Sequence, residues 1–205
     1  MSSPQTAPEN GQSSATTDEF KTVLTWRGED TDRLEQVRLV VAGSRIKAYG
    51  RIIAAATDEH EAFSASYELQ TTDAGVTKRL TVHLIREAGE TQFGITRDGE
   101  GTWLVRRPDG EVIQSDFDGA EDVDLALSPM FNALPLRRLK LSPGSPTVDV
   151  PVVYLYLPDG EVKSATVSYT AREDGIGLVS PLATTTLTLD ENGFVIDYPT
   201  LARRV

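Results

Sequence analysis

From Glu61 to Leu69 the chain alternates. Phe63, Ala65, Tyr67 and Leu69 fall at every second position, with Ser64, Ser66 and Glu68 between them. A period of two puts one row of side chains on an apolar face and the other in water. It specifies a half-buried strand and excludes an amphipathic helix. The pattern then recurs. Leu80, Val82 and Leu84 alternate with Thr81, His83 and Ile85, and Phe93 with Ile95, Trp103 with Val105, and Val112-Ile113 continue the series. Glycine-containing turns (TTDAG, AGE, RDGEG, PDGE) separate the runs. Short strands so closely spaced predict an antiparallel all-β sheet or barrel.

The flanks read the same way. Lys21–Trp26 is β-branched and ends in an aromatic, which suits a strand. Leu34–Ala42 and Ile46–Ala56 form the arms of a hairpin about Gly43-Ser44. Gly50, inside the second arm, marks a bulge or a close backbone contact. Val148–Leu157 is apolar on both faces and predicts a well-buried strand, with Pro151 favouring an edge or a bulge. Ala165, Val167 and Tyr169 share a strand face, and Leu187 and Leu189 pair with Phe194 and Ile196 across DENG. PDGEV occurs at Pro108–Val112 and at Pro158–Val162, which one turn chemistry used twice explains.

Length and composition set the remaining bounds. The 205 residues suit a single domain, here residues 20–205, after a tail at 1–19 in which only Met1, Ala7 and Ala15 are apolar. The tail lacks the basic and apolar regions of a secretory signal, and no stretch nears the ~18 apolar residues of a membrane span. The expectation is a cytoplasmic protein without an integral membrane segment. There is no cysteine, and the only histidines are His60 and His83, so no metal site and no cofactor are expected. A net charge of −11 repels phosphate backbones, which argues against a nucleic-acid partner. The serine elbow, the phosphate loop and the dinucleotide fingerprint are all missing from the sequence.

Between the two β-rich halves lies Asp122–Leu141, DVDLALSPMFNALPLRRLKL. Val123, Leu125 and Leu127 alternate with Asp122 and Asp124, as on a strand. Ser128-Pro129 has the form of an N-cap with proline at the first helical position, so a short helical turn is predicted near residues 128–134. Pro135 disfavours helical geometry at Leu134, and Leu136–Leu141 is expected to return as a strand. Arg137 and Arg138 would then point to opposite faces. Two uses for them are open: pairing with Asp122 or Asp124 inside the fold, or holding an anionic head group at a cavity mouth.

The run from Asp122 to Leu139 resembles the signature of the putative glycolipid-binding family, bacterial proteins first catalogued as a domain of unknown function. Trp26-Arg27, the segment GEGTW at 99–103, and Leu189-Asp190 with Gly193–Val195 and Asp197–Pro199 agree with it in order, over about Val23 to Val205. The chain departs from the family pattern after Tyr67, where a tryptophan is missing, and at Phe131, Ala133 and Ala202. The resemblance implies a single curved, many-stranded antiparallel sheet or half-open barrel around an apolar interior. It implies non-catalytic binding of a glycolipid-like or other lipid in the concave apolar face. Arg137, Arg138, Asn132, Trp26, Tyr67, Trp103 and Tyr154 are the candidate ligand residues, with Asp122 and Asp124 in structural pairing. Two alternatives stand beside it. One is an enzyme using Asp122 and Asp124 as acid–base or metal-binding carboxylates; the other is a protein-interaction scaffold without a ligand.

Overall fold

In the computed structural model, residues 19–205 are described. The expected tail lies outside the described residues, except for Glu19, which opens the first strand. Eight strands follow one another as a meander: β1 (Glu19–Gly28), β2 (Arg33–Ala42), β3 (Arg45–Ala54), β4 (Phe63–Thr71), β5 (Thr77–Arg86), β6 (Gly89–Arg97), β7 (Trp103–Arg106) and β8 (Val112–Ser115). The chain then crosses to β9 (Asp122–Leu125), passes through a helical segment, and forms a second run. This comprises β10 (Val148–Leu155), β11 (Val162–Arg172), β12 (Gly175–Val179), β13 (Thr184–Leu189), β14 (Val195–Tyr198) and β15 (Ala202–Arg204).

The two runs join where β15 pairs with β1, Trp26 lying opposite Arg204. The described residues thus form one fifteen-stranded sheet with β8 and β9 at its ends. It is curved and does not close. Neighbours are antiparallel except β9 and β10, which run parallel because the helical segment carries the chain back between them. Pro151 precedes the part of β10 that pairs with β9, so it sits where β10 has a free edge. Both PDGEV segments are turns, with Gly110 and Gly160 at positive φ. No helix among the described residues is long and apolar enough to cross a membrane.

One face of the sheet carries the core. The alternation seen in the sequence sends Val37, Leu39 and Val41 from β2, and Phe63, Ala65 and Leu69 from β4, into one buried cluster. Onto this face packs the helical segment: a 3-10 turn at Pro129–Asn132 and then α1 (Ala133–Leu139). Every residue from Pro129 to Leu136 is buried, so the segment acts as a plug. The sheet wraps it. Thr77 of β5 donates its N–H to Glu121 O at 3.0 Å beside β9, and Trp103 of β7 donates to Ala120 O at 2.9 Å. The Tyr67 and Phe131 rings meet at 5.2 Å.

The plug corrects one expectation. Leu136–Leu141 does not return as a strand; the helix runs on to Leu139 and ends at Lys140, in left-handed geometry. Pro135 lies in the first turn of α1, where a missing N–H leaves no hydrogen bond unmade, so it starts a helix and does not stop one. Arg137 and Arg138 are therefore helix neighbours, about 100° apart around the axis.

Candidate functional site

The face of β1–β6 opposite the plug is hollowed into a groove of about 980 Å³. Strand register builds it in rows. Thr25, Gln36, Arg51, Ser66, His83 and Gln92 stand side by side across six strands as a polar row. On one side runs Val23, Arg38, Tyr49, Glu68 and Thr81; on the other, Leu34 pairs with Ile53. Val23 and Ile53 are each 56% exposed, Leu34 45% and Tyr49 41%, so apolar surface flanks the polar row on both sides.

Part of the polar row is internally bonded. Gln36 Nε2 donates to Thr25 Oγ1 at 3.3 Å and Arg51 Nε to Ser66 Oγ at 3.0 Å, while His83 Nε2 meets Glu90 Oε2 at 3.0 Å. Among the described residues neither Arg38 nor Arg51 forms an ion pair. Gly50 belongs to the groove floor. Its cross-strand partner is Tyr67, whose ring lies so close behind it that a Cβ would stand 2.1 Å from Tyr67 Cζ. Gly50 is thus a close backbone contact.

The residues singled out from the sequence lie mostly on the plug side. Trp26 and Trp103 are wholly buried and each indole N–H has an acceptor, Val195 O and Ala120 O, both at 2.9 Å. Tyr154 is buried opposite Asp124 in the β9–β10 register. Asn132 accepts the Tyr169 hydroxyl at 3.0 Å. Arg138 donates to both oxygens of Asp122, at 2.9 and 2.7 Å, and reaches Glu121 at 3.1 Å. Burial pushes the Asp122 carboxyl up, against the pull of that guanidinium. Arg137 leaves the helix in another direction. It donates to Gly43 O at 2.9 Å and to Asn192 O, and lies 5.4 Å from the Phe194 ring centre. It ties the β2–β3 turn to the β13–β14 turn.

Glu35 was not singled out. Its residue is 1% exposed, and its Oε1 accepts Tyr67 Oη at 2.6 Å and Ser128 Oγ at 2.5 Å, while Oε2 is buried without a partner. Ser128 stands at the N-cap position but its hydroxyl makes no cap bond; it serves Glu35 instead. Burial raises the Glu35 carboxyl to about 7, against the two hydroxyl bonds and the nearby Arg33 charge. Asp124 is buried beside it and pushed up to about 8, first by burial, with help from the Asp122 and Glu35 charges. The signal for Glu35 was present: it shares the phase of Val37, Leu39 and Val41, so the strand that buries them buries it too.

The putative glycolipid-binding family matches residues 23–204. The crystal structure of a DUF1089 family protein from Pseudomonas aeruginosa is similar, with 27% identity and a TM-score of 0.70, covering 88% of this chain and 95% of that one. No curated protein matches the chain.

Proposed function

This chain belongs to the putative glycolipid-binding family, and from that premise we propose that it binds an amphiphile in the groove on the open face of β1–β6. One observation carries the reading. The crevice beside the plug, lined by Asp124, Asn132 and Tyr154, has room for about 10 Å³, while the opposite face offers about 980 Å³. The latter is the size of a small-molecule site. Leu34, Ile53 and Val23 supply apolar surface for an alkyl chain. Arg38 and Arg51, with the amides and hydroxyls of the polar row, supply hydrogen bonds for a polyhydroxylated or anionic head. The exposed Tyr49 ring offers a flat face between them.

The test is native mass spectrometry and solvent extraction of protein purified without detergent, for the wild type, Ile53→Asp and Arg51→Ala. The expected result is a stoichiometric amphiphile on the wild type that Ile53→Asp loses and Arg51→Ala weakens, with unfolding midpoints unchanged. An amphiphile held equally by all three proteins would place the ligand elsewhere. A wild type that neither carries nor takes up a lipid or glycolipid would end the binding reading.

A further inference from the structure

The groove face of β1–β6 reverses the charge balance of the chain. Acids outnumber lysine and arginine by 31 to 20 in the whole sequence. On this face the outward phase of the strands holds three acids, Glu19, Glu68 and Glu90. Glu19 pairs with Lys21 and Glu90 meets His83, while Arg45 reaches Asp73. Arg27, Arg38, Lys47, Arg51 and Arg79 stand on the same face without an ion pair among the described residues. On the reading that the groove is the binding site, we propose that its amphiphile is anionic. Arg38, Lys47 and Arg51 hold the phosphate, sulfate or carboxylate head, and the chain lies over Leu34 and Ile53.

Strand register draws the three cations together. Arg38 of β2 lies opposite Tyr49 of β3, so Lys47 and Arg51, two residues to either side of Tyr49, are its diagonal neighbours. Diagonal positions are about 7–8 Å apart, within reach of side chains this long. Arg38 and Arg51 line the groove, and Lys47 stands at its rim. Arg51 gives its Nε to Ser66, which fixes the guanidinium plane and leaves both Nη groups for a bidentate acceptor. Glu68 is the one acid in the lining. It sits on β4 opposite Tyr49, two strands or about 10 Å from Arg38. A neutral sugar head would use the amides and hydroxyls of the polar row and leave these clustered cations unmet. An anion meets them.

The other end of the groove has a different character, and this sets the direction of the ligand. Leu34 and Ile53 pair across β2 and β3. Beyond them an adjoining hollow is lined by Glu29, Asp30 and Asp32 of the β1–β2 turn, against Arg27 and the buried Arg33. Four residues of strand, about 13 Å, separate Leu34 from Arg38. A negative head is therefore favoured at the Arg38 end, and a chain running back along the strands falls on the apolar pair.

Calorimetric titration of the full-length protein with dodecyl phosphate and with dodecyl maltoside, each kept below micelle formation, compares a charged and a neutral head on one chain. Dodecyl phosphate should bind more tightly by about tenfold or more, the worth of one charge-assisted hydrogen bond, and should lose that advantage as salt is added. Arg38→Gln changes an exposed side chain, so it should keep the unfolding midpoint while removing most of the preference. Leu34→Asn should weaken both ligands alike. Equal binding of the two heads, or a preference that survives both Arg38→Gln and Lys47→Gln, overturns the anionic assignment and leaves the groove as a site for neutral amphiphiles. Inorganic phosphate that displaces dodecyl phosphate at equal concentration also overturns it, by showing a site for the free anion. Phosphate binding untouched by Leu34→Asn overturns the direction of the chain. Binding of neither amphiphile is a separate outcome and overturns the groove reading itself.

Discussion

Replacing Glu35 by glutamine tests the electrostatics of the interior. Glutamine keeps the shape and the oxygen that accepts Tyr67 and Ser128, but it cannot ionise. In the unfolded chain the Glu35 carboxyl loses its proton near 4.5; in the fold it holds on until about 7. Between those values the folded state binds more protons than the unfolded one, so this group's contribution falls as pH rises and is lost above about 7. The displacement corresponds to about 3 kcal/mol. Glu35→Gln is free of that loss. Its stability relative to wild type should therefore climb by about 3 kcal/mol between pH 4.5 and pH 8. At typical urea slopes that is a relative midpoint shift of about 1–3 M.

The slope of the difference matters, not its value at one pH. A buried amide nitrogen in place of the unpartnered Oε2 costs about 1–3 kcal/mol at every pH if it finds no acceptor. Urea unfolding of both proteins at pH 5, 6, 7 and 8 separates the two effects. A difference that stays flat with pH, or that moves in favour of wild type as pH rises, would refute the reasoning. It would mean that the folded protein holds Glu35 ionised against Arg33.

Three other perturbations have defined outcomes. Arg138→Ala strands Asp122, which is 0% exposed, and should cost about 3–5 kcal/mol in denaturant unfolding, whereas Arg138→Met with Asp122→Asn should recover part of the loss. Gly50→Ala places a Cβ 2.1 Å from the Tyr67 ring and should destabilise by about 1–3 kcal/mol, with a changed near-ultraviolet circular dichroism as Tyr67 leaves Glu35. Trp26→Phe removes the indole bond to Val195 O beside the β1–β15 junction and should lower stability by about 1–3 kcal/mol in thermal unfolding, without changing strand content.

The alternating runs made most of the strands legible, because a strand with one buried face has to repeat its apolar residues at every second position. What that period does not show is which face works. Ser66 and His83 fall in the polar phase of their alternations, and strand register, which the pattern does not give, lines them up with Thr25, Gln36 and Arg51. That their face is a groove follows from how ten-residue strands twist and coil together, which no single strand's pattern records. Trp26 and Trp103 are ligand candidates because the resemblance implies a curved sheet whose aromatics line an apolar interior. In the fold each indole N–H already has a backbone acceptor, and the acceptors lie on segments whose placement the local pattern does not give.

The segment from Asp122 to Leu141 shows where local reading stops. Its family likeness and its strand-then-helix opening are properties of neighbouring residues, and the Arg138–Asp122 pair spans only 16 positions. The errors came from longer reach. Pro135 reads as a helix stop when its own neighbours are the only context, while burial of Met130, Phe131, Leu134 and Leu136 under the wrapped sheet selects the helix. Ser128 looked like a cap, yet its hydroxyl goes to Glu35, 93 positions away. That one bond joins the plug to β2, and through Tyr67 it joins the plug to the strand pair behind the groove floor. The stretch must fit between two halves of the sheet at once, and that requirement buries it on the opposite side of the sheet from the groove.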